Sequence, residues 1–193
     1  MNNPRYFVFK AGQVSWRNRI LQAEIQLEGD FPETEPHWWD GIPLTTPPPH
    51  LTFAVSAKGP MLDNYFTGNE FDLYSERLIA LLREAGVHFE TFPATLVDRK
   101  TKEPLPVAYE VFHLLEVHPA LEVHWTTSGP PVIEKLDLIS EKWMQHQRSF
   151  FRAQEAPNIV LIDTTVKHQC DAIGITGCKY TTPEEARSKP PWA

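Results

Sequence analysis

Three histidines, His113, His118 and His124, are interleaved with Glu110, Glu116 and Glu122 in the middle of the chain. Imidazole and carboxylate are the side chains that hold a divalent metal or move a proton near neutral pH. Spacing decides whether they can act together. In an extended strand only residues of equal parity share a face, so His113 and His118 point apart. His118 and His124 are separated by Pro119 and a turn and could meet, with Glu116 or Glu122 completing a minimal site. The competing reading is a water-facing sheet surface, on which alternating His and Glu are ordinary. We adopt the second reading, so neither a metal site nor a cofactor is expected.

A second cluster is the pair Trp38-Trp39, flanked by Glu33, Glu35 and Asp40. Two carboxylates beside aromatic rings are the equipment of a glycosidase. That chemistry needs a rigid carboxylate separation, which an irregular, proline-rich stretch does not supply. Tryptophan is also the residue most enriched at the energetic centre of protein interfaces, and acids beside it complement a basic partner. The plainer alternative is that both indoles plug the core under a long loop. The candidate partner-binding residues are therefore Trp38, Trp39, Asp40, Glu33, Glu35, Glu110, Glu116, Glu122 and His124. Ser15, Ser56, Ser128 and Ser140 have no neighbouring histidine, and GxGxxG, GxxxxGK[ST], HExxH and GxSxG are absent. No catalytic residue is assigned, and the chain is expected not to be an enzyme.

The rest of the composition narrows the class. The chain has 193 residues and a formal net charge of −7. An acidic chain lacks the basic face that neutralises phosphates, so no nucleic-acid partner is expected. The apolar run Tyr6 to Phe9 is too short for a signal peptide or a membrane span, which gives a cytoplasmic expectation with no membrane partner. Cys170 and Cys178 form no CxxC pair, and a reducing compartment disfavours a disulfide between them.

These residues must be positioned by an α+β fold, with a mostly antiparallel sheet and two or three helices packed on it, in a single domain over 1–193. Ser75 to Ala85 reads as the clearest helix: Ser75 caps it, Leu78, Ile79, Leu81, Leu82 and Ala85 form an apolar stripe, and Gly86 ends it. Strand patterns occur at Tyr6 to Phe9, Ile20 to Leu27, Leu51 to Val55 and Val87 to Phe92, the last closed by Pro93. The strongest runs from Val107 to Val117. Leu121 to Trp125 reads as its hairpin partner across His118-Pro119-Ala120. Weaker patterns lie at Val132 to Ile139, Ser149 to Arg152 and Ile159 to Ile162. Residues 29–50 read as an irregular loop, long enough to suggest function. On this pattern, ordered positions go to packing and turns, and exposed surface acts by contact.

Two stretches, about 71–93 and 159–183, match at an offset of 88 residues. Ser75 aligns with Asp163, Leu78 with Val166, Leu82 with Cys170, Ala85 with Ile173, Gly86 with Gly174, Val87 with Ile175 and Phe92 with Tyr180. Each reads as a strand, a capped helix, a glycine stop and a returning strand. Independent convergence on common strand–helix–strand spacing would give the same signal.

Lys58-Gly59-Pro60, Asp63, Ser75-Glu76-Arg77-Leu78, Phe151-Arg152 and Gly174-Ile175-Thr176-Gly177 occur in an order that resembles a bacterial family of predicted immunity proteins, immunity protein family eleven, formerly a domain of unknown function. The likeness covers about residues 51–181. Asp163-Thr164-Thr165-Val166 departs from it, since a second S-E-R-like start would be expected there, and residues 29–50 have no counterpart. The resemblance implies an immunity protein of a polymorphic-toxin system, which neutralises a cognate, basic protein toxin by direct binding. The shared motifs read as scaffold, so the partner surface is expected on loops and exposed strand faces. The alternative function is a metal-dependent or other hydrolase.

Overall fold

Ser75 and Asp163 each end a strand and begin a helix, and the architecture is organised around these two points. The computed structural model describes residues 5–11, 24–28, 34, 36–56, 60–66, 71–125, 133–139 and 148–186. Thirteen strands among them are β1 (Tyr6–Ala11), β2 (Glu24–Leu27), β3 (Leu51–Ser56), β4 (Asn64–Phe66), β5 (Asp72–Ser75), β6 (Phe89–Asp98), β7 (Tyr109–Leu114), β8 (Val117–His118), β9 (Leu121–Trp125), β10 (Ile133–Leu138), β11 (Phe150–Ala153), β12 (Ala156–Asp163) and β13 (Cys178–Thr181). The α-helices among the described residues are α1 (Glu76–Glu84) and α2 (Thr164–Ala172).

The strands form a six-stranded sheet in the order β2-β3-β6-β7-β5-β4, a five-stranded sheet β13-β1-β12-β11-β8, and the pair β10-β9. Every pairing is antiparallel except β3 with β6 and β8 with β11. The fold is α+β, as the sequence pattern indicates.

The two helices of the 88-residue likeness are capped and closed alike. Ser75 Oγ accepts from Leu78 N at 3.3 Å, and Asp163 Oδ1 accepts from Val166 N at 2.8 Å. Val87 N donates to Leu82 O and Ile175 N to Cys170 O, closing the two helix ends the same way. Gly86 and Gly174 both turn at positive φ, 73° and 68°. In each unit the helix connects two strands that flank one antiparallel strand: β5 and β6 flank β7, and β12 and β13 flank β1. The returning strand is offset by one residue. Leu73 and Leu161 stand opposite Val111 and Val8, but Phe92 faces Val111 while Tyr180 faces Phe9. Phe92 and Tyr180 are therefore not equivalent in the sheets, although their sequences align.

Three apolar clusters hold these layers. The central one joins Leu78, Ile79 and Leu82 of α1, Val166 and Cys170 of α2, and the facing strand residues Phe9, Tyr74, Phe112, Phe150 and Ile162. Both helices thus bury into a core shared by both large sheets, and each fully buried Leu or Ile there contributes about 1.5–3 kcal/mol. The far face of the five-stranded sheet is covered by β9 and β10 through Leu121 and Leu136. The far face of the six-stranded sheet is covered by Trp38. Cys170 is buried in the central cluster and, like Cys178, carries a free thiol.

Two expectations need correction. β6 runs through Pro93 to Asp98, because Pro93 stands one residue before pairing with β3 starts at Ala94, where that side of β6 is still an edge. The Val107-to-Val117 run does not form a hairpin with 121–125. It stops at Leu114; β7 lies between β5 and β6, β8 joins the other large sheet beside β11, and β9 pairs with β10. The reason is burial on both faces: Tyr109 and Val111 face one cluster, Phe112 and Leu114 another.

The turn after α2 packs tightly. A Cβ on Gly177, at φ 77°, would lie 2.6 Å from Asn64 O, whereas one on Gly86 would meet open space. Gly177→Ala is expected to destabilise by at least about 2 kcal/mol, through clash added to backbone strain. Gly86→Ala should cost only about 1 kcal/mol. Urea midpoints of the two variants, compared at equal slope, measure the difference.

Candidate functional site

Asp63 is where the scaffold motifs meet. Its carboxylate accepts from Ser75 Oγ at 2.6 Å and from Thr176 N and Oγ1, both at 2.8 Å. Arg77 lies 4.0 Å away and donates to Ile173 O at 2.6 Å. One buried acid thus ties the cap of α1 to the turn that follows α2. Burial alone would raise this carboxyl, but the hydrogen bonds from Ser75 and Thr176 and the nearby Arg77 outweigh it and hold it below the ordinary range. Asp63, Ser75, Arg77 and the Gly174–Gly177 turn are structural, in keeping with the scaffold reading. Residues 58 and 59 of the KGP turn lie outside the described residues.

The candidate contact residues do not form one surface. Trp38 is only 1% exposed, in a short 3₁₀ turn, Trp38–Asp40, against Phe71 and His113. It is a core residue, because the indole seals the far face of the six-stranded sheet. Glu116 is also buried. It accepts from His88 N at 3.0 Å and pairs with Arg148 at 3.3 Å and His118 at 3.5 Å. It cannot present a contact face, because the chain bends inward between β7 and β8. Asp40 is exposed but closes the 3₁₀ turn by accepting from His37 N. Glu110 is half-buried on β7 opposite Tyr74 and Pro93. Glu33 and Glu35 lie outside the described residues.

Glu122 and His124 stay on the surface, with side chains 63% and 44% exposed. His124 Nε2 lies 3.7 Å from Glu122 and 3.5 Å from Asp137, and Asp137 stands directly opposite Glu122 across the β9–β10 pair. His118 and His124, which could have met at one site, pair with different acids on different sheets.

A cavity of about 540 Å³ lies between the two large sheets. Its walls include Asp72 and Tyr74 of β5, Arg152 of β11, Val160 of β12, Lys10 of β1, Lys179 of β13, and Trp39. Arg152 is 5% exposed, with one terminal nitrogen held by Pro157 O and its guanidinium 5.9 Å from the Trp39 ring centre. Its buried Nε has no hydrogen-bond partner. Among the described residues neither the Asp72 carboxyl nor the Tyr74 hydroxyl has one either. Burial pushes the Asp72 carboxyl up to about 6, against the pull of Arg152's charge. Burial also raises the Tyr74 phenol, and Asp72 raises it further. A carboxyl titrating there can exchange protons near neutral pH and, once charged, attracts a cation or an N–H donor.

This cavity corrects the expectation that ordered positions serve packing and turns alone. Of the residues singled out in the sequence for partner binding, only Trp39 lines it. The missed signal is a single charge inside an apolar strand run: Phe71-Asp72-Leu73-Tyr74 and Phe150-Phe151-Arg152-Ala153. A lone charge on such a strand is seldom buried without purpose. Among the described residues no helix is long and apolar enough to cross a membrane. In comparisons with known proteins, no family model matches the chain and no curated protein matches it.

Proposed function

We propose that this protein neutralises a cognate bacterial toxin by direct binding, with the outer face of β9 and β10 as its contact surface. The observation that carries this reading is the surface strip of β9 and β10, where Glu122 and His124 are exposed and Asp137 stands opposite Glu122. A basic partner surface would complement these acids and speed association. Two further features support it. The chain's net charge is −7, and Asp63, Ser75, Arg77 and Thr176, four of the residues that resemble immunity protein family eleven, are engaged in one structural network, which leaves recognition to surfaces outside it.

The test is to mix the purified chain with the candidate toxin encoded beside its gene. A joint peak in size-exclusion chromatography at micromolar concentration is expected. Separate elution removes that partner. Glu122→Lys with Asp137→Lys is expected to weaken the complex at least about tenfold, mostly by slowing association and flattening its salt dependence. An unchanged association rate would place the contact surface elsewhere.

A further inference from the structure

We infer that the cavity between the two large sheets is a binding site for a small organic dianion, a phosphate monoester or a dicarboxylate, carried on an aromatic body. The chain as a whole is acidic, with a net charge of −7, yet this one cavity gathers Arg152, Lys10 and Lys179 around Asp72, the sole acid among its lining residues. Three cations against one acid leave two positive charges in excess. Lys10 and Lys179 stand directly opposite each other on β1 and β13, and among the described residues neither has an acid partner. Desolvation and the neighbouring Lys179 charge hold the Lys10 ammonium below its usual value, as expected where cations gather without a counter-charge.

Arg152 is the anchor. It is 5% exposed, and its buried Nε has no partner. Buried polar groups are nearly always paired, and each unpaired one needs a reason. Pro157 O engages Nη1, which leaves the edge that carries Nε, the edge with which a guanidinium holds two oxygens of one phosphate or carboxylate. A water molecule could satisfy that N–H but would leave the excess charge unanswered. A monoanion would answer half of it. A phosphate monoester, which carries about −1.5 to −2 near neutral pH, answers nearly all of it, and a dicarboxylate does the same. The Trp39 ring, centred 5.9 Å from the guanidinium, supplies apolar wall for an aromatic body together with Phe9 and Val160. A volume of about 540 Å³, apolar walls and a few convergent polar groups are the usual form of a small-molecule site.

The test uses the full chain at neutral pH with four probes that share a phenyl ring and differ in charge: phenyl phosphate, phenylsuccinate, hydrocinnamate and phenethylamine. All are compared at equal concentration and ionic strength by calorimetry and thermal unfolding. At least one of the two dianions is expected to bind and to raise the melting temperature by several degrees. It should bind at least about tenfold tighter than the monoanion hydrocinnamate, with no binding of the cation phenethylamine. The tighter of the two dianions assigns the head group as phosphate or dicarboxylate. Its ringless counterpart, inorganic phosphate or succinate, should bind at least about tenfold more weakly. Because Arg152 is buried and its replacement risks misfolding, the decisive variant is Lys10→Gln with Lys179→Gln, two exposed positions. It is expected to weaken the dianion about tenfold and to flatten the salt dependence of binding. The inference fails if neither dianion binds, if hydrocinnamate or the ringless counterpart binds as tightly, or if the double lysine variant leaves the affinity unchanged. None of these outcomes depends on toxin binding, so this site and the β9–β10 surface stand or fall separately.

Discussion

Replacing Asp63 by alanine will destabilise the protein by about 4 kcal/mol, a large share of the stability of a domain this size. The carboxylate accepts three hydrogen bonds, from Ser75 Oγ and from Thr176 N and Oγ1. Removing the acceptor leaves the buried Ser75 hydroxyl short of a partner, which costs more than that bond's net worth, and loses two charge-assisted bonds from the exposed Thr176. Thr176→Val removes one hydroxyl donor and keeps the amide, so it should cost only about 1 kcal/mol. Acid titration gives an independent check. The folded-state carboxyl lies below its ordinary value of 3.8, so its contribution is complete above that pH and is lost as pH falls through the lower folded value. Asp63→Ala should therefore remove part of the acid-induced loss of stability seen in the parent. Urea unfolding of both proteins across that range reads the magnitude and the pH slope. A cost under about 1 kcal/mol would mean that the apolar core alone fixes the two units against each other.

Much of this fold was legible because its signals are local. Ser75 three residues before Leu78, Asp163 three before Val166, and a glycine after each helix are short-range patterns, and the hydrogen bonds at both helix ends follow them. Strand partners were less legible, because pairing is settled by tertiary packing. The Val107-to-Val117 run looks continuous, yet its two ends join different sheets. The one-residue shift between Phe92 and Tyr180 is likewise invisible to an alignment that contains no sheet register. The candidate site was least legible of all. Asp72 and Arg152 lie far apart in sequence and matter only because β5 and β11 bring them to one cavity. Trp38 and Trp39 illustrate the same limit: the neighbouring indoles have opposite fates, one sealing the core and the other lining the cavity.

The cavity makes a demand on stability that separates a functional acid from a structural one. A structural carboxylate such as Asp63 is lowered in the fold and stabilises it when charged. Asp72 is the opposite case, since burial raises its carboxyl from 3.8 to about 6, with Arg152 opposing that rise only in part. A group raised on folding binds its proton more tightly in the folded state, so ionising it works against the fold. The penalty is absent below the unfolded value of 3.8, grows as pH rises towards about 6 and is complete above that. The carboxyl shift alone opposes folding by roughly 3 kcal/mol at neutral pH. Asp72→Asn removes this net penalty, into which the attraction of Arg152 already enters, while the new amide still carries part of the cost of a polar group at that place. The variant is expected to be more stable than its parent by about 1–2 kcal/mol at neutral pH, with the difference shrinking towards zero near pH 4. Urea midpoints at the two pH values test both the sign and the trend. A more stable Asp72→Asn at neutral pH would mark the charge as one the scaffold does not need, and a less stable one would return the residue to the scaffold.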